Sequence, residues 1–164
     1  MKTLGKKMHG YSIVEVIIYI GMLSVFMAVL TGIFVSTIDA KLESESISAI
    51  EQDGRFIIAK LAYDINRAQS IETPALGTTG NTLQITVDSL AESFALSNGK
   101  LQITKSNNTD DLNGHDTTIS NLTFQRLGNI NGKNSIKMTF TITSITQRAT
   151  GPETKAFQTT LAIR

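Results

Sequence analysis

Few side chains in this 164-residue sequence could do chemistry, and Glu15 is the one whose position most demands an explanation. It is the only charge between Tyr11 and Ile38, and from Val16 to Val35 no ionisable group occurs except the Tyr19 phenol. An ionised carboxylate at the edge of an apolar span costs on the order of a few kcal/mol unless it reaches an interface or finds a cation. One solution is for Glu15 to snorkel towards the lipid headgroups. The other begins with a cut after Gly10, which would leave a free amine on Tyr11, four residues before Glu15 and on the same helix face. In an assembly of copies, Glu15 of one chain could instead neutralise the Tyr11 amine of a neighbour and so set the axial register.

Other reactive constellations are sparse. The chain has no cysteine, which excludes disulfides, thiolate zinc sites and cysteine nucleophiles. His9 would leave with the segment before the cut, so His115 would be the only histidine, too few for a transition-metal site. No phosphate loop, nucleophile elbow or dinucleotide fingerprint is present. The expectation is therefore no catalytic residue, no cofactor and no enzyme. One loop, residues 106–116, gathers Asp110, Asp111, Asn113 and Asp116, oxygen ligands of the kind calcium takes. Its spacing is not that of an EF-hand, and clusters of Asx and Gly usually form solvated turns; no metal is assigned.

Around Glu15 the elements are explicit. Residues 1–10 (MKTLGKKMHG) are short, basic and polar. The uncharged run behind them is long enough, at ~1.5 Å per residue, to cross a hydrocarbon core roughly 30 Å thick. Lysines before the run and none just after it put residues 1–10 on the cytoplasmic side, with everything beyond about Ser36 outside. A secretory signal would have a shorter apolar run followed by a small-x-small site; here the small residue, Gly10, comes first, and Ile38-Asp39-Ala40 is a poor version of that site. Residues 1–10 hold three of the 15 basic side chains (Lys2, Lys6, Lys7) and none of the 14 acidic ones, so the remainder carries 12 against 14, a formal −2. Nucleic-acid binders usually show a basic excess, and no nucleic-acid partner is evident.

Gly10-Tyr11-Ser12-Ile13-Val14-Glu15-Val16, with lysines before it and the apolar run after it, resembles the prepilin cleavage and methylation motif of type IV pilins and type II secretion pseudopilins. The resemblance implies a prepilin peptidase that cuts between Gly10 and Tyr11, N-methylation of Tyr11, and assembly into a filament in which Glu15 contacts other pilin or pseudopilin subunits. Phe is more usual in that family where Tyr11 stands; Tyr keeps the ring and adds a hydroxyl. Many major pilins carry a proline about where Gly32 lies. Gly21 and Gly32 imply either a softened helix or close helix packing. Met22, Phe26 and Met27 read as lipid-facing or interhelix filler.

Beyond the span, Ile47, Ile50, Ile57, Leu61, Ile65 and Ala68 recur at helical spacing. One helix is expected from about Ser12 to Gln69, with Gly54 a weak spot and with Asp64 and Arg67 on the exposed face. Its stretch Phe56–Ala68 is similar to the second-half helix of J-type minor pseudopilins and minor pilins. After Pro74 the period becomes two: strands are expected at Thr82–Asp88, Ser93–Ser97, Lys100–Lys105, Thr117–Leu127, Ser135–Ile145 and Lys155–Arg164, with Asn98-Gly99 a two-residue hairpin turn. Leu83, Ile85, Val87, Phe124, Met138, Phe140 and Ile142 form the face suited to the helix.

The fold class is thus α+β: a long N-terminal helix, membrane-spanning in its first half and amphipathic in its second, packed on a C-terminal antiparallel β-sheet. The parts are a leader (residues 1–10), a transmembrane or filament-core segment (11–35), an amphipathic half-helix (36–70) and a β-rich domain (71–164). The functional expectation is a minor pilin or pseudopilin, single-pass in the cytoplasmic membrane with its C-terminal domain outside, partnered by membrane lipid, prepilin peptidase and other subunits. The runner-up is a monomeric membrane-anchored binding module with an extracytoplasmic β-rich domain.

Overall fold

The computed structural model describes residues 10–129 and 132–163; residues 1–9, most of the expected leader, lie outside the described residues. The chain divides into two compact units after Ala40. One α-helix, α1 (Ile13–Arg67), supplies the first unit and enters the second.

In the second unit α1 buries Ser46, Ile50, Gly54, Ile57 and Leu61, three or four residues apart, and then Asp64 and Ile65 three and four beyond Leu61, so that one stripe faces the core. Among the described residues nine strands follow: β1 (Ala68–Thr73), β2 (Thr79–Gly80), β3 (Thr82–Val87), β4 (Leu90–Ser97), β5 (Lys100–Lys105), β6 (Asn108–Asp111), β7 (Thr117–Leu127), β8 (Ser135–Ser144) and β9 (Thr154–Ala162). They form two antiparallel sheets rather than one, in the orders β1-β3-β4-β5-β6 and β2-β7-β8-β9. All seven residues of the expected sheet face are buried, in a single cluster with Ile50, Ile57, Leu61 and Ile65.

The first sheet is a meander whose hairpins turn in two residues each: Asp88-Ser89, Asn98-Gly99 and Ser106-Asn107, all at positive φ. Such turns match the twist of the flanking strands. Asn98-Gly99 is the turn expected from the sequence; the other two lack glycine.

Three expectations are corrected. The helix ends at Arg67, and Ala68 is buried as the first residue of β1, not as a helical position. Ile47 is 44% exposed, on the turn where Ser46 and Ile50 are covered and residue 47 is not. Gly54 is no weak spot. Its missing side chain makes room for the Phe157 ring of β9, which a Cβ at position 54 would overlap. That ring is stacked on Phe140 of β8, with centroids 5.3 Å apart and planes at 12°. Beside it Lys155 of β9 pairs with Glu51 of α1, a hydrogen bond that holds the Glu51 carboxyl below its ordinary value.

Candidate functional site

Gly10 and Tyr11 precede α1 in a segment without regular structure, and both are exposed. A Cβ at Gly10 would meet nothing within 4 Å. The first helical bond runs from Val16 N–H to the Ser12 carbonyl, 3.2 Å. The Gly10–Tyr11 peptide bond is thus free of the helical ladder, and a peptidase would not need to unwind α1 to reach it.

Ser12 and Glu15 have the S-x-x-E spacing of a capping box. A carboxylate in the first turn also meets the positive end of the helix dipole. Glu15 is half-buried, and its Oε1 accepts a hydrogen bond from the Tyr19 hydroxyl at 3.1 Å, one turn further on. Tyr11 N is a peptide nitrogen here, and the Tyr19 hydroxyl is the side-chain partner of Glu15. Tyr19, read from the sequence only as a phenol in the apolar run, joins the site at i+4.

From Val16 to Val35 every residue of α1 is exposed, and the helix is long and apolar enough to cross a membrane, with a mean hydropathy of 2.5 over its most apolar window. Its hydroxyls suit that role. Ser24, Thr31 and Thr37 donate to the carbonyls of Ile20, Met27 and Ile33 at 2.8–2.9 Å, so these three hydroxyl protons need no water. The helix runs unbroken through Gly21 and Gly32, and no neighbouring atom lies within 4 Å of where their Cβ would be. Gly21 opens a shallow apolar groove flanked by Ile18, Met22, Val25, Phe26 and Val29.

The carboxylate-rich loop is organised differently from an open ligand set. Asp110 and Asp111 belong to β6, where Asn108 and Gln102 donate to them. Asn113 is buried; its Oδ1 accepts from Leu101 N–H at 2.9 Å and its Nδ2 donates to the Thr117 carbonyl at 2.9 Å. Asp53 of α1 accepts from Gly114 N–H at 2.9 Å and from the Thr117 hydroxyl, so this loop is a clamp between helix and sheet.

A polar cluster that sequence reasoning missed lies at the other end of the domain. Asp64, expected on the exposed face of α1, is 1% exposed. Lys60 lies 2.9 Å from its Oδ2 and Lys105 of β5 lies 3.7 Å from its Oδ1. Lys105 also bonds buried Glu92 of β4, its direct cross-strand neighbour, at 2.5 Å. Burial pulls the Lys105 ammonium down, but the Glu92 hydrogen bond and the Asp64 and Glu92 charges outweigh it, and its pKa is raised. Only the two carboxylates are buried, so removal of Lys105 would leave Glu92 without its cation and Asp64 with Lys60 alone. Arg67, by contrast, is on the exposed face as expected, over the Tyr63 ring and paired with Asp88.

Comparison with known protein families, curated proteins and solved structures finds no match. The features of this chain alone carry its functional reading: an exposed Gly-Tyr bond, a first-turn glutamate, an exposed apolar helix and a β-rich domain clamped to the rest of that helix.

Proposed function

We propose that the chain is a minor pilin or pseudopilin: a filament subunit cut after Gly10 by a prepilin peptidase, N-methylated on Tyr11 and assembled through the first part of α1. The observation that carries this reading is the order Gly10-Tyr11-x-x-x-Glu15 at the mouth of an exposed apolar helix. A plain anchor needs the apolar run but has no use for a glutamate at its edge. After the cut, the Tyr11 amine provides a counter-charge, within the chain or on a neighbour, and Glu15 can leave Tyr19 for it. The exposed residues of the span would be covered by lipid before assembly and by other subunits after it.

Glu15→Gln tests this reading. The amide keeps the size and the Tyr19 contact but removes the charge, so membrane insertion and cleavage persist while incorporation into filaments falls by tenfold or more, the effect of about 1.4 kcal/mol. The filament-bound fraction of the two proteins is compared at equal membrane abundance. Equal incorporation would make Glu15 a snorkelling interface residue and remove the electrostatic basis of the proposal.

A further inference from the structure

The two sheets present four edges among the described residues, and three are blunted. β1 carries two register irregularities, β2 has two residues, and β6 has four and ends in Asp110-Asp111. Bulges, brevity and charge are the devices that keep an edge from pairing with another chain. β9 is neither short nor bulged: its nine residues pair with β8 in unbroken register, its one charge, Lys155, is paired with Glu51 of α1, and Ala156–Ala162 has no charge and no proline. Among the described residues nothing pairs with its outer side.

We infer that the outer edge of β9 pairs antiparallel with β9 of a second copy of this chain, about a two-fold axis at Thr159. Two features of the strand bear on this pairing: one selects the register and the other permits it. The first is the order of its side chains. Antiparallel pairing centred on Thr159 sets Gln158 opposite Thr160, Phe157 opposite Leu161 and Ala156 opposite Ala162, so polar faces polar and apolar faces apolar in every pair. Phe157 and Leu161 pack on the core but stay partly uncovered, and each would gain the other's counterpart as a cross-strand neighbour.

The second is backbone parity. Ile163 N–H donates to the Asn134 carbonyl at 3.1 Å, beyond the Ala162–Ser135 pair. Backbone groups alternate sides along a strand. The N–H and C=O groups of Ala156, Gln158, Thr160 and Ala162 therefore point away from β8. A two-fold at Thr159 joins these same residues to one another: 158 to 160 and 156 to 162, with Thr159 facing its own copy in a non-hydrogen-bonded pair. Any centre on a residue keeps these outward groups paired, whereas a centre between two residues would bring inward-turned groups to the edge; among residue centres, the side-chain order selects Thr159. The axis stands normal to the sheet, so the two copies run in opposite directions. Neighbours along one filament share one direction, so the pairing joins copies on facing filaments, on facing membranes or in detergent. It does not depend on the filament reading.

Because the chain has no cysteine, single-cysteine variants of the full chain in detergent report the pairing directly. Non-hydrogen-bonded partners have Cα atoms about 4.5 Å apart, within the reach of a disulfide. Thr159→Cys should form a disulfide-linked dimer on mild oxidation at least tenfold faster than Gln158→Cys. Position 158 is the more exposed, so random collision predicts the reverse order. In the Thr159→Cys background, Thr160→Pro removes an outward N–H that β8 does not use, a change edge strands tolerate; it should abolish the dimer and leave the melting temperature of the reduced protein unchanged. The inference is overturned if position 158 links as fast as 159. Thr160→Pro that stays folded and links undiminished overturns it too, as does a Thr159→Cys chain that links only to a different protein.

Discussion

Replacing Gly54 by alanine sets two effects of opposite sign against each other. Helix propensity alone favours alanine over glycine by about 1 kcal/mol. The structure opposes it: a Cβ at position 54 would come within 2.9 Å of one Phe157 ring carbon and nearer still to two more. Phe140, the cross-strand neighbour of Phe157 on β8, is stacked on the ring at 5.3 Å and opposes its movement towards that strand. Forcing a methyl group into so tight a contact costs about 1–3 kcal/mol. The balance is a net loss of about 1 kcal/mol, read as a fall of roughly 4 °C in the melting temperature of the full chain in detergent, followed by circular dichroism. The same substitution in a Phe157→Leu background, where the ring is gone, should be neutral or stabilising. A rise in melting temperature for Gly54→Ala with Phe157 intact would refute the close packing of α1 on β9.

Gly10→Val places a branched side chain at the proposed cleavage site and should leave a full-length precursor in the membrane; immunoblots that show normal maturation would put the site elsewhere. The Lys105 pKa is raised on folding, so the folded protein holds that proton more tightly. Its contribution to stability is complete below the ordinary lysine value of 10.5 and declines as pH rises through the higher folded value. Urea midpoints between pH 8 and 11.5 should therefore fall more steeply for the native chain than for Lys105→Met, and parallel profiles would deny the Asp64–Lys105–Glu92 cluster that role.

The parts of the fold legible in the sequence are those where one physical pattern dominates a stretch. The apolar run and the three-four recurrence from Ile50 to Ile65 announce α1, and the alternation around Leu83, Phe124 and Phe140 announces the inner sheet faces. Asn98-Gly99 is readable because both residue types accept positive φ. Asp88-Ser89 and Ser106-Asn107 adopt the same conformation without glycine, under the constraint of the strands on either side, and leave no comparable mark. β1 follows Arg67 directly, with neither glycine nor proline between, so the helical period runs on into it and conceals the helix end. Asp64 and Gly54 differ from the helical expectation because each meets a strand residue that no pattern within the helix reveals: Lys105 near the Asp64 carboxylate, and the Phe157 ring over Gly54. At the N-terminal site, the Gly10-Tyr11-Glu15 spacing is legible, whereas the Glu15–Tyr19 hydrogen bond needed the helix to bring residues 15 and 19 to one face.

The central claim is that this chain matures by a cut between Gly10 and Tyr11. Intact-mass measurement of protein extracted from the membrane tests it most directly. The expected product begins at Tyr11 and is one methyl group heavier than residues 11–164 alone. A chain that retains Met1 would make this a simple membrane anchor, and one that begins beyond Val35 would make the apolar helix a removed signal; either result would contradict the account.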